Sequence, residues 1–182
     1  MTAPHRAAPP SRGNAHAPRT DPPADPQQTP PFDPAPTSPA EDAPGAYNLP
    51  VIRQFRENGG RVGPPFEGAP LILITTVGAR SGRPRTVPTL SFRLDDGNLL
   101  IIGSNGGADT DPAWYHNLIK DPRMTVETGQ ETYAALGRLV PTGSRERDRL
   151  FARAAAEVEA FADYQSMTRR TLPVVIVERR PG

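Results

Sequence analysis

Residues 78–85 read Gly-Ala-Arg-Ser-Gly-Arg-Pro-Arg, which places three guanidinium groups, one hydroxyl and two glycines in eight positions. Glycines let backbone N–H groups approach an oxyanion, while arginine and serine add charged and neutral donors. The segment reads as an anion receiver; a solvated hairpin loop is the alternative. A second segment, Ser104-Asn105-Gly106-Gly107-Ala108, runs toward a helix start at Pro112. A glycine pair ahead of a helix N-terminus joins exposed N–H groups to a favourable dipole, although the same pair also makes an ordinary turn. Two anion-receiving loops on neighbouring strands suggest a phosphate-bearing cofactor with an apolar ring between them. Trp114 and Tyr115 follow on the first helical turn, where a tryptophan serves either as a core anchor or as one wall of such a site.

Other chemistries are excluded by what the chain lacks. It has no cysteine, which removes disulfides, iron–sulfur clusters and thiol catalysis. Of its three histidines, His5 and His16 fall in the proline-rich N-terminal stretch, and His116 has no His or Cys partner with which to build a zinc site. No nucleophile-elbow motif accompanies His116, and neither a GxGxxG pattern nor a P-loop lysine occurs. Residues 46–182 carry 18 Lys+Arg against 15 Asp+Glu, too mild an excess for a nucleic-acid surface, and aromatic residues are too sparse for base stacking. Seventeen of those 18 cations are arginine, which suits bidentate recognition of phosphate or carboxylate as well as an ordinary charged surface.

The elements that must position these loops are legible from periodicity. Residues 47–58 place Val51, Ile52 and Phe55 at helical spacing before the stop signal Gly59-Gly60. Packing against the body is one use of this amphipathic helix and peripheral membrane contact the other. Residues 71–78, a β-branched apolar run, predict a buried strand, and residues 86–94 a second beyond the arginine-rich loop. Asp95-Asp96-Gly97-Asn98 predicts a tight turn into the strand at residues 99–104. Short turns between three strands argue for an antiparallel meander. Asp111 is placed to cap a helix with Pro112 in its first turn and Asp121-Pro122 at its end. Residues 123–140 read as another hairpin. Ser144 caps a helix reaching about Tyr164, with Leu150, Phe151, Ala154, Val158 and Phe161 on one face, and residues 172–180 form a last strand. The expected fold is mainly β with α: about six antiparallel strands in a small barrel, with two or three helices outside.

Fourteen of the 24 prolines lie in the first 50 residues, where apolar runs are absent. Such a segment buries too little surface to offset the entropy of ordering it, so residues 1–45 read as a disordered tail and residues 46–182 as the folded domain. The tail lacks the continuous apolar stretch of a signal peptide, and no run of about 18 apolar residues predicts a membrane span. A cytoplasmic protein is expected.

Taken together, TTVGARSGRPRTVP, SNGGADTDPAWYHNLIKDPRMTVETG and ADYQSMTRRTLPVVIVERR, in that order and spacing, resemble the deazaflavin (F420)-dependent nitroreductase family over about residues 48–179. The resemblance implies a split β-barrel related to the FMN-binding barrels, loaded with coenzyme F420 and passing hydride to a quinone, an activated enone or a nitroaromatic. It implies that Arg80 and Ser81 meet the cofactor's phosphate and acidic tail, with Arg85 as a second cation. Val87 and Pro88 would shape the floor near the ring, Ser104, Asn105, Gly106, Gly107 and Ala108 would line the ring and phosphate side, and Trp114 would form the adjoining wall. Tyr164 is the candidate for orienting or protonating the acceptor, or else a core tyrosine. The chain departs from the family pattern at Ala79, where many relatives carry a cation, and at Asn105, where the best-known nitro-reducing members carry lysine. It also has Val158 and Phe161 where nitroimidazole-activating relatives carry tyrosines. An FMN enzyme of the same barrel superfamily and a non-catalytic F420 carrier are the alternatives. No metal is implied, and the protein is expected as a monomer or homodimer.

Overall fold

Three strands of the body are apolar on both faces. In β1 (Leu71–Val77), Leu71 and Leu73 enter one hydrophobic cluster while Ile72 and Ile74 enter another. The same alternation separates Leu100 and Ile102 from Leu99 and Ile101 in β4 (Leu99–Ile102). It separates Val174 and Ile176 from Val175 and Val177 in β7 (Val174–Arg179). Successive strand side chains point to opposite faces, so a continuous apolar run commits a strand to being covered on both. The computed structural model describes residues 48–180, and the tail read at residues 1–45 lies outside the described residues.

The remaining strands are β2 (Pro84–Leu90), β3 (Phe92–Arg93), β5 (Arg123–Glu127) and β6 (Thr132–Leu139). They form one antiparallel sheet in the order β2-β1-β5-β6-β7-β4-β3. The two edge strands of that order are separated in sequence by Ser91 alone. Edges joined by one residue must approach each other, so the sheet curls into the expected split barrel. The curl also corrects the single strand read at residues 86–94. Leu90 pairs with Leu71 in β1, whereas Phe92 pairs with Leu100 in β4. At the corner, the Ser91 N–H donates to Pro70 O at 2.9 Å, just beyond the Leu71–Leu90 pair. The second expected strand is therefore two, β2 and β3, at opposite edges of a seven-stranded sheet, and the third is β4, so the three do not form a simple meander.

Four α-helices are described, one or two more than expected. Helix α1 (Asn48–Glu57) spends Val51, Ile52 and Phe55 on the first cluster, so its apolar face is used in packing. Helix α2 (Ala113–Lys120) supplies Trp114 and Leu118 to the second. The single helix expected from Ser144 to Tyr164 is α3 (Arg145–Glu157) followed by α4 (Ala160–Met167). Ser144 does cap it, accepting from the Arg147 N–H at 3.1 Å. The break comes at Val158, whose φ of −135° and ψ of 96° are extended. The turn lets Phe161 and Tyr164 reach the same cluster as Leu150 and Ala154. Among the described residues no helix is long and apolar enough to cross a membrane.

Candidate functional site

Helix α2 holds one chemistry-bearing loop at its C-terminal end and is preceded in the chain by the other. The arginine-rich loop joins β1 to β2 and is closed by hydrogen bonds from Gly78 N to Arg83 O and from Gly82 N to Gly78 O, each 2.8 Å. A Cβ on residue 78 would lie 2.5 Å from Ser81 Oγ and 3.2 Å from Arg83 O, so a side chain there would displace the Ser81 hydroxyl. Ser81 Oγ accepts from the Arg83 N–H and from Arg85 Nη2, both at 3.3 Å. Arg80, Ser81 and Arg83 are exposed, and Arg85, Val87 and Pro88 are half-buried.

Two α2 side chains clamp this loop. The buried Asn117 carboxamide accepts from the Ala79 N–H at 2.8 Å and donates to Thr76 Oγ1 at 2.9 Å. Lys120 Nζ donates to Ala79 O at 2.6 Å. Ala79 is thus flanked by Lys120 from another element. Val87 packs against the cluster that holds Trp114, with Tyr115 beside it. Trp114 is 6% exposed and meets the Tyr115 ring edge-on at 6.2 Å, so it anchors α2 in the core. Burial and the Asp111 carboxylate push the Tyr115 phenol up, so it stays protonated at neutral pH.

The glycine loop leaves β4 and approaches α2 from its other end. Asn105, Gly106 and Gly107 all take positive φ values, 48°, 60° and 79°. The Asn105 amide turns back onto its own loop, donating to Thr110 O at 3.0 Å. Gly107 is buried against α4: a Cβ there would lie 3.1 Å from Met167 Cβ and 3.3 Å from Tyr164 Cα. Tyr164 therefore runs its backbone along the loop while its ring, 5% exposed, sits edge-on to Phe161 in the first core cluster. The neighbouring Met167 side chain is 66% exposed.

Asp111 does not cap α2. The N-cap position is Pro112, and the Asp111 carboxylate instead accepts from Arg170 Nη1 at 2.7 Å. A cation 59 residues away in sequence outcompetes the local helix N-terminus for this side chain. Arg170 also donates to the carbonyls of Gly103, Ser104 and Ala108. Sequence reasoning missed Asn117, Lys120 and Arg170. Asn117 carried a signal, since it lies three residues from Trp114 on the buried helical face, where a polar group needs partners. Arg170 carried none in a chain so rich in arginine.

Residues 50–179 match the family described as F420H(2)-dependent quinone reductase. The chain is 34% identical over 129 residues to an F420H(2)-dependent quinone reductase of Mycobacterium tuberculosis, covering 69% of this chain and 85% of that one. Among solved structures, an F420-H2 dependent reductase superposes with a TM-score of 0.53 at 33% identity, covering 60% of this chain and 94% of the other. A second, described as a domain-swapped dimer, gives 0.56 at 30% identity, covering 71% and 95%.

Proposed function

The chain belongs to the F420H(2)-dependent quinone reductase family, and on that premise we propose how its two loops and α2 serve hydride transfer from reduced F420 to an organic acceptor. The protein is an F420-dependent oxidoreductase of split-barrel fold. The acceptor is proposed to be a quinone, ahead of an activated enone or a nitroaromatic, because Asn105, Val158 and Phe161 depart from the residues of nitro-activating relatives.

The donor set suits the cofactor's chemistry. Exposed Arg80 and Ser81, with Arg85 behind them and Lys120 alongside, form a cationic end for phosphate and carboxylates. Ser104, Asn105, Gly106, Gly107 and Ala108 form the other end, where missing side chains let a flat ring approach the backbone. Val87 and Pro88 supply the half-buried floor between them, and Trp114 holds α2 from beneath. When bound, the deazaflavin supplies a hydride at a ring carbon; the protein's part is to orient it and its acceptor. Tyr164 is proposed to act on the acceptor from α4, the helix against the glycine loop. The enzyme is further proposed to be cytoplasmic and a monomer or homodimer, which cell fractionation and sedimentation velocity report.

The observation that carries this reading is that α2 holds the arginine-rich loop at its C-terminal end through Asn117 and Lys120, while the glycine loop runs into its N-terminal end. Titrating the purified protein with F420 and with FMN, side by side, tests it. F420 should bind the more tightly, and reduced F420 should be consumed when a quinone is added. Preference for FMN, or no turnover with any of the three acceptor classes, would retire it.

A further inference from the structure

Each of the three guanidinium nitrogens of Arg170 is aimed at the glycine loop or its exit. Nε donates to Ala108 O at 2.7 Å and Nη2 to Ser104 O at 2.6 Å. Nη1 donates to Gly103 O at 3.1 Å and to Asp111 Oδ1 at 2.7 Å. The side chain is only 14% exposed and Asp111 29%, so these bonds are largely shielded from water. Burial lowers the affinity of Arg170 for its proton, and the Asp111 carboxylate opposes that effect. A guanidinium spans several carbonyls in one plane; an ammonium at the same place is a point donor.

The segment bearing Arg170 is itself held from behind. Gln165 Nε2 donates to Arg170 O at 2.7 Å, while its Oε1 accepts from Arg147 Nη2 at 2.9 Å and from the Leu172 N–H at 3.0 Å. Arg147 is buried and also donates to Leu172 O. Thr168 Oγ1 donates to Asp109 Oδ1 at 2.8 Å, a second tie between this segment and the loop.

These bonds determine which way the loop's peptides face. In a trans peptide the N–H points opposite to the C=O. Drawing the Gly103, Ser104 and Ala108 carbonyls toward Arg170 turns the N–H groups of Ser104, Asn105 and Asp109 to the opposite side. Ser104 is right-handed, with φ −69° and ψ −39°, and Asn105 follows at φ 48°. That succession gathers consecutive N–H groups into a concavity suited to an anionic or carbonyl oxygen.

We infer that Arg170, with Asp111 as its counter-charge, is the positioning residue that preforms the glycine loop as an oxygen-receiving concavity for the cofactor. The inference rests on the cofactor reading above. Arg170 acts through the loop carbonyls and touches no reacting atom. Without it the loop must be ordered by the ligand, which weakens binding while leaving the bound geometry attainable.

Arg170→Lys and Asp111→Asn in the full chain test this. F420 affinity is followed by titration, and backbone amide exchange is followed in the cofactor-free protein. Arg170→Lys should raise the F420 dissociation constant about tenfold, the loss of roughly one charge-assisted contact. It should raise KM for F420 more than it lowers kcat, and speed exchange at Asn105–Asp109 while β1 and β5 stay protected. Asp111→Asn should move the same readouts less, and decides the matter if Arg170→Lys does not fold. Unchanged affinity with unchanged loop exchange would overturn the inference. So would faster exchange in every strand with a lowered melting point, which marks a merely structural role. If wild type fails to bind F420, the cofactor reading fails, and the loop-exchange pattern still decides whether Arg170 preforms the loop.

Discussion

Arg80 sits exposed on a hairpin whose flanking positions are held by Asn117, Lys120 and the Gly78 turn, so its charge is presented from a fixed base. A charge-assisted contact to phosphate contributes roughly 1.5–3 kcal/mol, or about a ten- to hundredfold change in dissociation constant. Arg80→Ala should therefore weaken F420 binding by that factor and slow turnover at saturation far less; an unchanged titration curve would remove the loop from the site. Tyr164 calls for the opposite separation. Its ring is buried beside Phe161, yet its backbone borders the glycine loop. If the hydroxyl orients or protonates the acceptor, Tyr164→Phe lowers turnover, by about a hundredfold for a full general acid and less for positioning, with F420 affinity nearly intact. Full turnover with a lowered melting point would assign the tyrosine to the core.

Between elements, the contact of α4 with the glycine loop leaves no room for another carbon. At Gly107, φ is 79° and a Cβ would press on Met167 and on the Tyr164 backbone. Gly107→Ala combines that crowding with a left-handed conformation costing roughly 1–2 kcal/mol for a residue with a Cβ. We expect a lower melting temperature together with weaker F420 binding. A stable variant with normal affinity would mean that the loop is not gripped between α4 and its ligand. At the far end of α2, Asp121 bonds the Arg123 side chain and backbone, which holds its carboxyl at about 2 rather than 3.8. Because the folded value is depressed, the pair stabilises the fold above about pH 4 and that contribution is lost as pH falls through about 2. Carboxyl resonances should show the low midpoint in wild type and a return toward 3.8 in Arg123→Gln.

For the whole molecule, closure of the sheet rests on residues 48–180: edge strands β2 and β3 meet through Ser91, and α1 completes the first cluster. The proline-rich composition of residues 1–45 predicts a segment that buries little apolar surface. Deleting residues 1–45 is accordingly expected to leave the melting temperature and F420 affinity unchanged, as calorimetry and titration would report. A loss of either would show that the tail packs on the barrel or its site.

How much of this was legible beforehand follows from the range over which each feature is determined. The buried runs of β1, β4 and β7, the Gly97 turn, the Ser144 cap and both loops depend on residues adjacent in the chain, and periodicity or turn chemistry reveals such features directly. The family's combined motifs identified the split barrel and its cofactor. Tertiary structure alone decided where β2 ends and β3 begins, since Leu90 and Phe92 answer to different partner strands. It alone broke the helix at Val158 so that two segments reach one core, and took Asp111 from the helix start for Arg170. Local propensity is worth about 1 kcal/mol or less per residue, so a part-buried, hydrogen-bonded charge pair or a shared core overrides it, and those partners lie tens of residues away in sequence.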